Sequence, residues 1–260
     1  MKKLLILILI LSTSILNSQY FTMQAYVLNE DSEQDYLQLE DYWSKIHAEA
    51  VKEGAKEGWS VWKVEPWPNS DFEMRSDAAN YLIFSSYSTK EQMESSMNID
   101  LYKSLAQKAF KGKMSKKNID KKIFQEGNKL IKIRRRYQMK RVDTSIFAGG
   151  ELKPGDQARV DLSTALNEDF EALESNVWKP IVTSEILKNN ARYWSLSKVI
   201  NRNENAYTDF DYMHFNLLVN DRKPYEISDD FKTNKLRELL SKSHKKNPPS
   251  ALLTCVYTVN

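Results

Sequence analysis

The chain is short of the residues that usually announce chemistry. Its 260 residues hold one cysteine, Cys255, and three histidines, His47, His214 and His244, none near another or near the cysteine. An intrachain disulfide is excluded, and a metal site built from closely spaced ligands has no support. Glycine and proline are scarce at seven each. There is no glycine-rich phosphate loop, no nucleophile elbow around a serine and no paired-histidine metalloprotease motif. A long apolar run is missing too: Leu4 to Leu11 is apolar, but Ser12, Thr13 and Ser14 interrupt it well short of the about 20 residues a bilayer span needs. These absences leave the reaction unspecified and call for no cofactor or metal.

What is present begins with Met1-Lys2-Lys3, the apolar run, and small and polar residues up to Ser18. That layout is one of a secretory signal peptide. Cleavage is expected near Ser18, giving an exported protein, periplasmic or extracellular, with no transmembrane segment afterwards. The formal charge of +3 falls to +1 without Lys2 and Lys3. Charge is uneven, however: between Asp100 and Arg141, 15 Lys or Arg face three acidic residues. Composition, at 41% hydrophobic and 28% charged, is that of a globular protein.

An internal duplication organises the rest. Trp43 and Ile46 recur as Trp178 and Ile181, and Trp59-Ser60 with Lys63-Val64 recurs as Trp194-Ser195 with Lys198-Val199, all at one offset. Tyr36, Leu39 and Glu40 match Phe170, Leu173 and Glu174 one residue out of step, and Leu28-Asn29-Glu30-Asp31 returns as Leu166-Asn167-Glu168-Asp169. Each copy reads as strand, helix, strand, strand, helix, strand. Strands are expected at Tyr20–Leu28, Trp59–Val64, Tyr81–Tyr87 and Leu130–Val142, then at Ala158–Leu166, Tyr193–Ile200, Tyr212–Val219 and Ala251–Val259. Tyr36, Leu39, Trp43, Ile46 and Ala50 give the first helix one buried stripe. Gly58 and Asn189-Asn190 are read as helix-ending residues, and Pro180 should kink or split the helix of the second copy. The expected organisation is a signal peptide over 1–18, a first unit over 19–147, a glycine-bearing linker over 148–156 and a second unit over 157–260.

The order βαββαβ is the ferredoxin-like split βαβ unit, so the fold class is α+β: two tandem units with antiparallel sheets facing each other. In the third strand of the second copy, Met213, Phe215, Leu217 and Val219 alternate with Tyr212, His214, Asn216 and Leu218. The apolar set suits helix packing, and the mixed set suits a pocket between the sheets.

With Trp178-Lys179-Pro180-Ile181 before Trp194-Ser195, and Trp43 to His47 before Gly58-Trp59-Ser60, the chain resembles the dimeric α/β-barrel superfamily, specifically uncharacterised exported bacterial proteins of that type. Stress-responsive barrel, EthD-like and antibiotic-biosynthesis-monooxygenase-like proteins belong to it. The resemblance implies topology. It carries no single activity, because the superfamily spans enzymes, haem proteins and binders.

The candidate ligand-binding residues are Tyr212, His214, Asn216, Arg134, Arg136 and Trp62. His214 reads either as a hydrogen-bonded interface residue or as a proton donor, proton acceptor or haem ligand. On the strand from Ile131 to Val142, Lys132, Arg134, Arg136 and Lys140 share one side. That side should face solvent, paired carboxylates, an anionic partner or the cavity, since facing helices would be costly. Trp62 and Trp67 have no matched tryptophan and are read as ligand-lining, whereas the matched tryptophans are read as core. His47 is placed at a surface or rim and His244 in solvent. Lys103 to Lys122 is read as a solvated helix face or a contact for an anionic surface, and nucleic acid is not expected. The functional expectation is a small, partly apolar or anionic ligand held between the sheets. The alternatives are a cofactor-independent or haem-associated oxygenase or isomerase, and an envelope-surface protein using the basic helix.

Overall fold

The computed structural model describes residues 18–66, 68 and 74–260, the side chains of 248 and 249 excepted. All but Ser18 of the expected signal peptide over 1–18, and Trp67, lie outside the described residues.

Eight strands form one closed antiparallel barrel: β1 (Tyr20–Leu28), β2 (Gly58–Pro66), β3 (Tyr81–Tyr87), β4 (Ile131–Thr144), β5 (Gln157–Ala165), β6 (Tyr193–Arg202), β7 (Tyr212–Leu217) and β8 (His244–Val259). Their order around it is β1-β3-β2-β8-β5-β7-β6-β4, with β4 returning to β1. Each copy contributes a four-stranded sheet of the ferredoxin-like order. Two seams join them: β2 with β8, from Trp59 opposite Val259 to Pro66 opposite Ala251, and β4 with β6, from Tyr137 opposite Arg202 to Thr144 opposite Ser195. The sheets thus share edges as well as facing one another, which leaves no strand edge open.

Helix α1 (Glu33–Lys52) buries Tyr36, Leu39, Ile46 and Ala50, as the stripe predicts. It ends earlier than expected: Gly54, not Gly58, takes the left-handed turn at φ +72°, and Ala55 N donates to Ala50 O at 2.9 Å. Gly58 instead opens β2. Asn189, with φ +58°, ends the matching helix of the second copy, as expected. That helix is split at the proline. A short α5 (Phe170–Leu173) widens into a π-turn over Glu174–Trp178, and α6 (Lys179–Leu187) then begins with Pro180 in its first turn, where the missing N–H is harmless. Between β3 and β4 lie α2 (Lys90–Ser95), α3 (Ile99–Ala109) and α4 (Lys116–Ile119), the last running on into a π-turn over Asp120–Glu126. The second copy has only α7 (Phe231–Ser243) in the corresponding place.

β8 starts seven residues before the expected strand. Its pairing with β5 jumps from Val160 opposite Ala251 to Leu162 opposite Asn247, so the Pro-bearing stretch is carried as a bulge.

The barrel interior is packed. Phe21, Met23, Ala25, Phe84, Tyr137, Met139, Val160, Met213, Phe215, Leu217 and Leu253 fill it, and each large side chain so buried contributes about 1.5–3 kcal/mol. Trp62 stands 5.5 Å from Phe215 in a T-shaped contact, and its indole Nε1 donates to Ser60 Oγ at 2.8 Å. Cys255 is buried here; burial and the Asp156 charge push its thiol up to about 12, which makes it inert.

This packing reverses one sequence reading. Met213, Phe215 and Leu217 face the barrel interior, and Tyr212 and His214 face the helices. In a closed barrel with helices outside, both faces of a strand are buried, and the drier face is the interior. Tyr212 and His214 therefore do not line an intersheet cavity; a void at the Arg135 and Tyr207 end of the barrel interior is about 120 Å³.

Candidate functional site

A cavity of about 560 Å³ lies outside the barrel, between the first copy's sheet and its helices. That is the size of a small-molecule site. Its floor is the outer face of β1, β3 and β4. β1 alternates strictly: Phe21, Met23 and Ala25 go inward, while Thr22, Gln24 and Tyr26 line the cavity. Ser85 and Tyr87 come from β3, and Arg134 and Arg136 from β4. Helix α1 supplies one wall with Leu39, Glu40, Trp43 and His47, and the insert α2–α4 supplies the other with Met97, Tyr102, Lys103, Asp120, Ile123 and Phe124. The insert closes tightly on α1 at Gly127, where a Cβ would stand 2.7 Å from the Leu39 methyls.

At one end His47, 8% exposed, is stacked between Trp43 and Trp59 at centroid distances of 5.5 and 4.7 Å, with Tyr102 edge-on at 5.5 Å. Its buried Nδ1 has no hydrogen-bond partner. Burial first, and the Lys56 charge second, hold its pKa well below the usual 6.5, so the imidazole is neutral at neutral pH. Lys56, only 2% exposed, donates to Ser85 Oγ at 2.9 Å and sits 5.6 and 5.3 Å from the ring centres of Tyr87 and Tyr102. Burial alone would raise the Tyr87 phenol, but Lys56 and hydrogen bonds from Ser96, Ser85 and Thr22 outweigh it and bring the group below its ordinary value. Tyr102 is raised, because burial wins there.

Glu40 occupies the other end. It lies seven residues before His47, two turns along the same helix face and about 10 Å away. It is 3% exposed, and burial raises its pKa to about 7 against smaller opposing effects of Tyr36 and Arg134. Arg134 donates to Asn128 Oδ1 at 2.7 Å, lies over the Tyr26 ring at 5.6 Å and keeps a buried Nε without a partner. Arg136 points a guanidinium nitrogen at Met97 Sδ, 3.8 Å away. Among the described residues none of Lys56, Lys103, Arg134 and Arg136 reaches a carboxylate within ion-pair distance. The cavity thus concentrates cations against Asp120 and a carboxyl that is half protonated near neutrality.

Of the sequence-chosen residues, the structure brings Arg134 and Arg136 to this cavity and leaves Tyr212, His214, Asn216 and Trp62 elsewhere. The basic side of β4 meets solvent and the cavity, as expected: Lys132, Arg136 and Lys140 are exposed, and Arg134, half-buried, lines the cavity with Arg136 and is met by Asn128. Tyr212 donates to Glu171 Oε1 at 2.6 Å beside Lys198 at 3.1 Å. Tyr81, Glu33 and Lys63 repeat the arrangement in the first copy at 2.6 and 2.9 Å, which marks the trio as part of the shared framework. His214 Nε2 is 3.2 Å from Glu174 Oε1 under α5 and α7, and it is not part of the first copy's cavity wall. Asn216 is half-buried on the same face. His47 is buried rather than at a rim. His244 is half-buried, its Nδ1 2.9 Å from Leu240 O and its ring 5.0 Å from Phe170, rather than solvated. Lys103 to Lys122 frames the cavity. Glu40, His47, Lys56 and Tyr87 were missed, although the polar Thr22 and Gln24 on a helix-covered strand face carried the signal.

No protein-family model matches this chain, and no curated protein matches it. Solved structures do. A candidate monooxygenase from Lactobacillus acidophilus is similar over 94% of this chain and 97% of its own, with TM-score 0.54 at 10% identity. Another from Fusobacterium nucleatum covers 94% of each chain with TM-score 0.51 at 11% identity. A looser likeness, TM-score 0.45 at 11% identity over 94% of each chain, is to a chlorite dismutase variant from Candidatus Nitrospira defluvii. The architecture is thus that of the dimeric α/β-barrel proteins, and at these identities the likeness is one of fold alone.

Proposed function

We propose that the first copy's cavity binds a small, planar, anionic aromatic molecule and performs acid–base chemistry on it, without a cofactor. One observation carries this reading: an aromatic-walled cavity faces four cations that reach no carboxylate. Lys56 is buried and Arg134 half-buried; a buried cation is costly unless an anion meets it, and arginine forks recognise carboxylates and phenolates through charge-assisted hydrogen bonds. Trp43, Tyr102 and Phe124 offer ring faces and edges to a flat ligand. Glu40, poised near pH 7, is suited to taking or returning a proton.

The probe is 6-hydroxy-2-naphthoate, whose carboxylate and hydroxyl sit at opposite ends of a flat ring system. Binding should quench the tryptophan fluorescence. Arg134→Ala with Arg136→Ala should weaken it by about 10-fold or more, as expected when charged hydrogen bonds worth about 1.5–3 kcal/mol are lost. Equal affinity in wild type and variant would remove the basic wall from the reading.

Haem is the second ligand to weigh. His47 is the only histidine on the cavity wall, and Arg134 and Arg136 would suit propionates. A metal-bound imidazole nearly always donates its remote N–H to an acceptor, however, and His47 Nδ1 has none. That favours the cofactor-free reading. A Soret band in the purified protein that disappears in His47→Ala would reverse the preference.

A further inference from the structure

The cavity carries its positive charge at two separate places. One is the arginine pair on β4, and the other is Lys56, in the turn between α1 and β2, which is almost fully buried and reaches no carboxylate among the described residues. Strand register fixes how far apart they are. Ser85, which accepts from Lys56 at 2.9 Å, stands opposite Thr22 on β1, whereas Arg136 stands opposite Gln24 and Arg134 opposite Tyr26. With strands about 4.8 Å apart and a rise of about 3.3 Å per residue, the Cα of Ser85 lies roughly 12 Å from that of Arg136 and roughly 16 Å from that of Arg134, diagonally across β3, β1 and β4. No single carboxylate meets both ends.

The surroundings of Lys56 leave its charge uncompensated. They are the Ser85 hydroxyl and the rings of Tyr87 and Tyr102, centred 5.6 and 5.3 Å from the ammonium, with His47 edge-on to the same Tyr102 ring and its buried Nδ1 without a partner. Hydroxyls and ring faces ease a buried ammonium without neutralising it. Across the cavity wall, Lys56, Lys103, Arg134 and Arg136 outnumber Glu40 and Asp120 by two even when Glu40 is ionised. At the matched positions the second copy buries Ala191 and Val182 in place of Lys56 and His47. The repeat itself does not need this charge.

We propose that Lys56 is a second anion subsite, so that the cavity selects elongated aromatic dianions with one oxyanion at each end of a flat ring system. The inference rests on the cavity reading and deepens it from a singly to a doubly anchored ligand. Arg134 and Arg136 take the first carboxylate. The second group, a carboxylate or phenolate, meets the Lys56 ammonium, and the rings between the two lie along Thr22 and Gln24 of β1. Two unit charges on the ligand match the excess of two on the wall.

The test compares 2,6-naphthalenedicarboxylate with its 2,3 isomer and with 2-naphthoate, by calorimetry at neutral pH and fixed ionic strength. The two isomers carry the same charge, so only its placement differs. Wild type should bind the 2,6 isomer at least about 10-fold more tightly than either control, the increment of one further charge-assisted contact. Lys56→Met and Lys56→Gln should abolish that preference by weakening the 2,6 isomer alone, with 2-naphthoate unchanged, and Lys56→Arg should keep most of it. Arg134→Ala with Arg136→Ala should weaken all three ligands. Circular dichroism establishes that each variant is folded, and Lys56→Gln answers alone if Lys56→Met is not. Equal affinity for the three ligands in wild type, or a preference that survives in the folded Lys56 variants, would overturn the second subsite while the binding of 2-naphthoate upholds the cavity reading. If none of the three binds, the cavity reading falls and this inference falls with it.

Discussion

Glu174 Oε1 lies 3.2 Å from His214 Nε2, whereas Glu40, at the matching place in the first copy, faces an open cavity with no histidine opposite. The two carboxyls descend from one repeat position and have been given different surroundings. In the second copy the pair is sealed under Phe170 and Trp194, and its role is structural. His214→Ala should strand the buried Glu174 and lower stability by on the order of 3 kcal/mol, read from the urea midpoint, with binding of 6-hydroxy-2-naphthoate intact. Weakened binding in a folded His214→Ala protein would show that the second copy contributes to the site.

Glu40 predicts a definite pH dependence. Its folded pKa of about 7 stands above the ordinary 4.5, so the folded state holds a proton that the unfolded chain releases between those values. Stability from this group is therefore greatest below about pH 4.5 and falls as pH rises to 7, by roughly 3 kcal/mol in all. Ionised Glu40 also repels an anionic ligand. Glu40→Gln should flatten both trends: urea midpoints should rise relative to wild type at about pH 8, and naphthoate affinity should no longer fall between about pH 6 and pH 8. A wild-type affinity that is constant across that range would count against Glu40 as the poised group.

His47 acts with the opposite sign. Its folded pKa lies well below 6.5, so below that value the unfolded chain binds a proton that the folded state refuses. Stability from this group is present at neutral pH and lost on acidification. His47→Phe keeps an aromatic ring between Trp43 and Trp59 and removes the titration. It should unfold less readily than wild type at about pH 5 while matching it at about pH 8. Identical acid sensitivity in the two proteins would mean that His47 is protonated in the folded state.

Much of the fold was legible because packing residues repeat. Trp59 and Trp194, Lys63 and Lys198, and the strands at Tyr20 and Tyr81 all sit where periodicity placed them. The site was harder to read, for a physical reason. Alternation along β7 separates two faces but does not say which is inside, and a closed barrel wrapped in helices buries both. Met213 and Phe215 were assigned outward on the assumption that the more apolar side meets helices, and that one inversion carried His214 and Tyr212 into an imagined cavity. Arg134 and Arg136 were singled out as an unusual face, and both line the first copy's cavity. Lys56 and His47 gave no local signal, since each is isolated in sequence and becomes a site only when α1 and the insert close over β1 and β3.

The comparison of copies yields the most direct test of where function lies. At the matched positions the second copy has Val182 for His47 and Ala191 for Lys56, both buried against Trp194 and α6. These choices relieve what the first copy tolerates, namely an imidazole nitrogen without a partner and an ammonium without a carboxylate. Sites that bind or react often carry such strain at the expense of stability. His47→Val combined with Lys56→Ala should therefore leave the thermal midpoint unchanged or raise it, with about 1–3 kcal/mol recovered from the unsatisfied polar groups set against lost packing. The same protein should bind 6-hydroxy-2-naphthoate at least about tenfold more weakly, the loss expected for one charge-assisted contact. A double variant that is less stable yet binds as wild type would mean that His47 and Lys56 belong to the framework, and that the ligand is held by the arginine end alone.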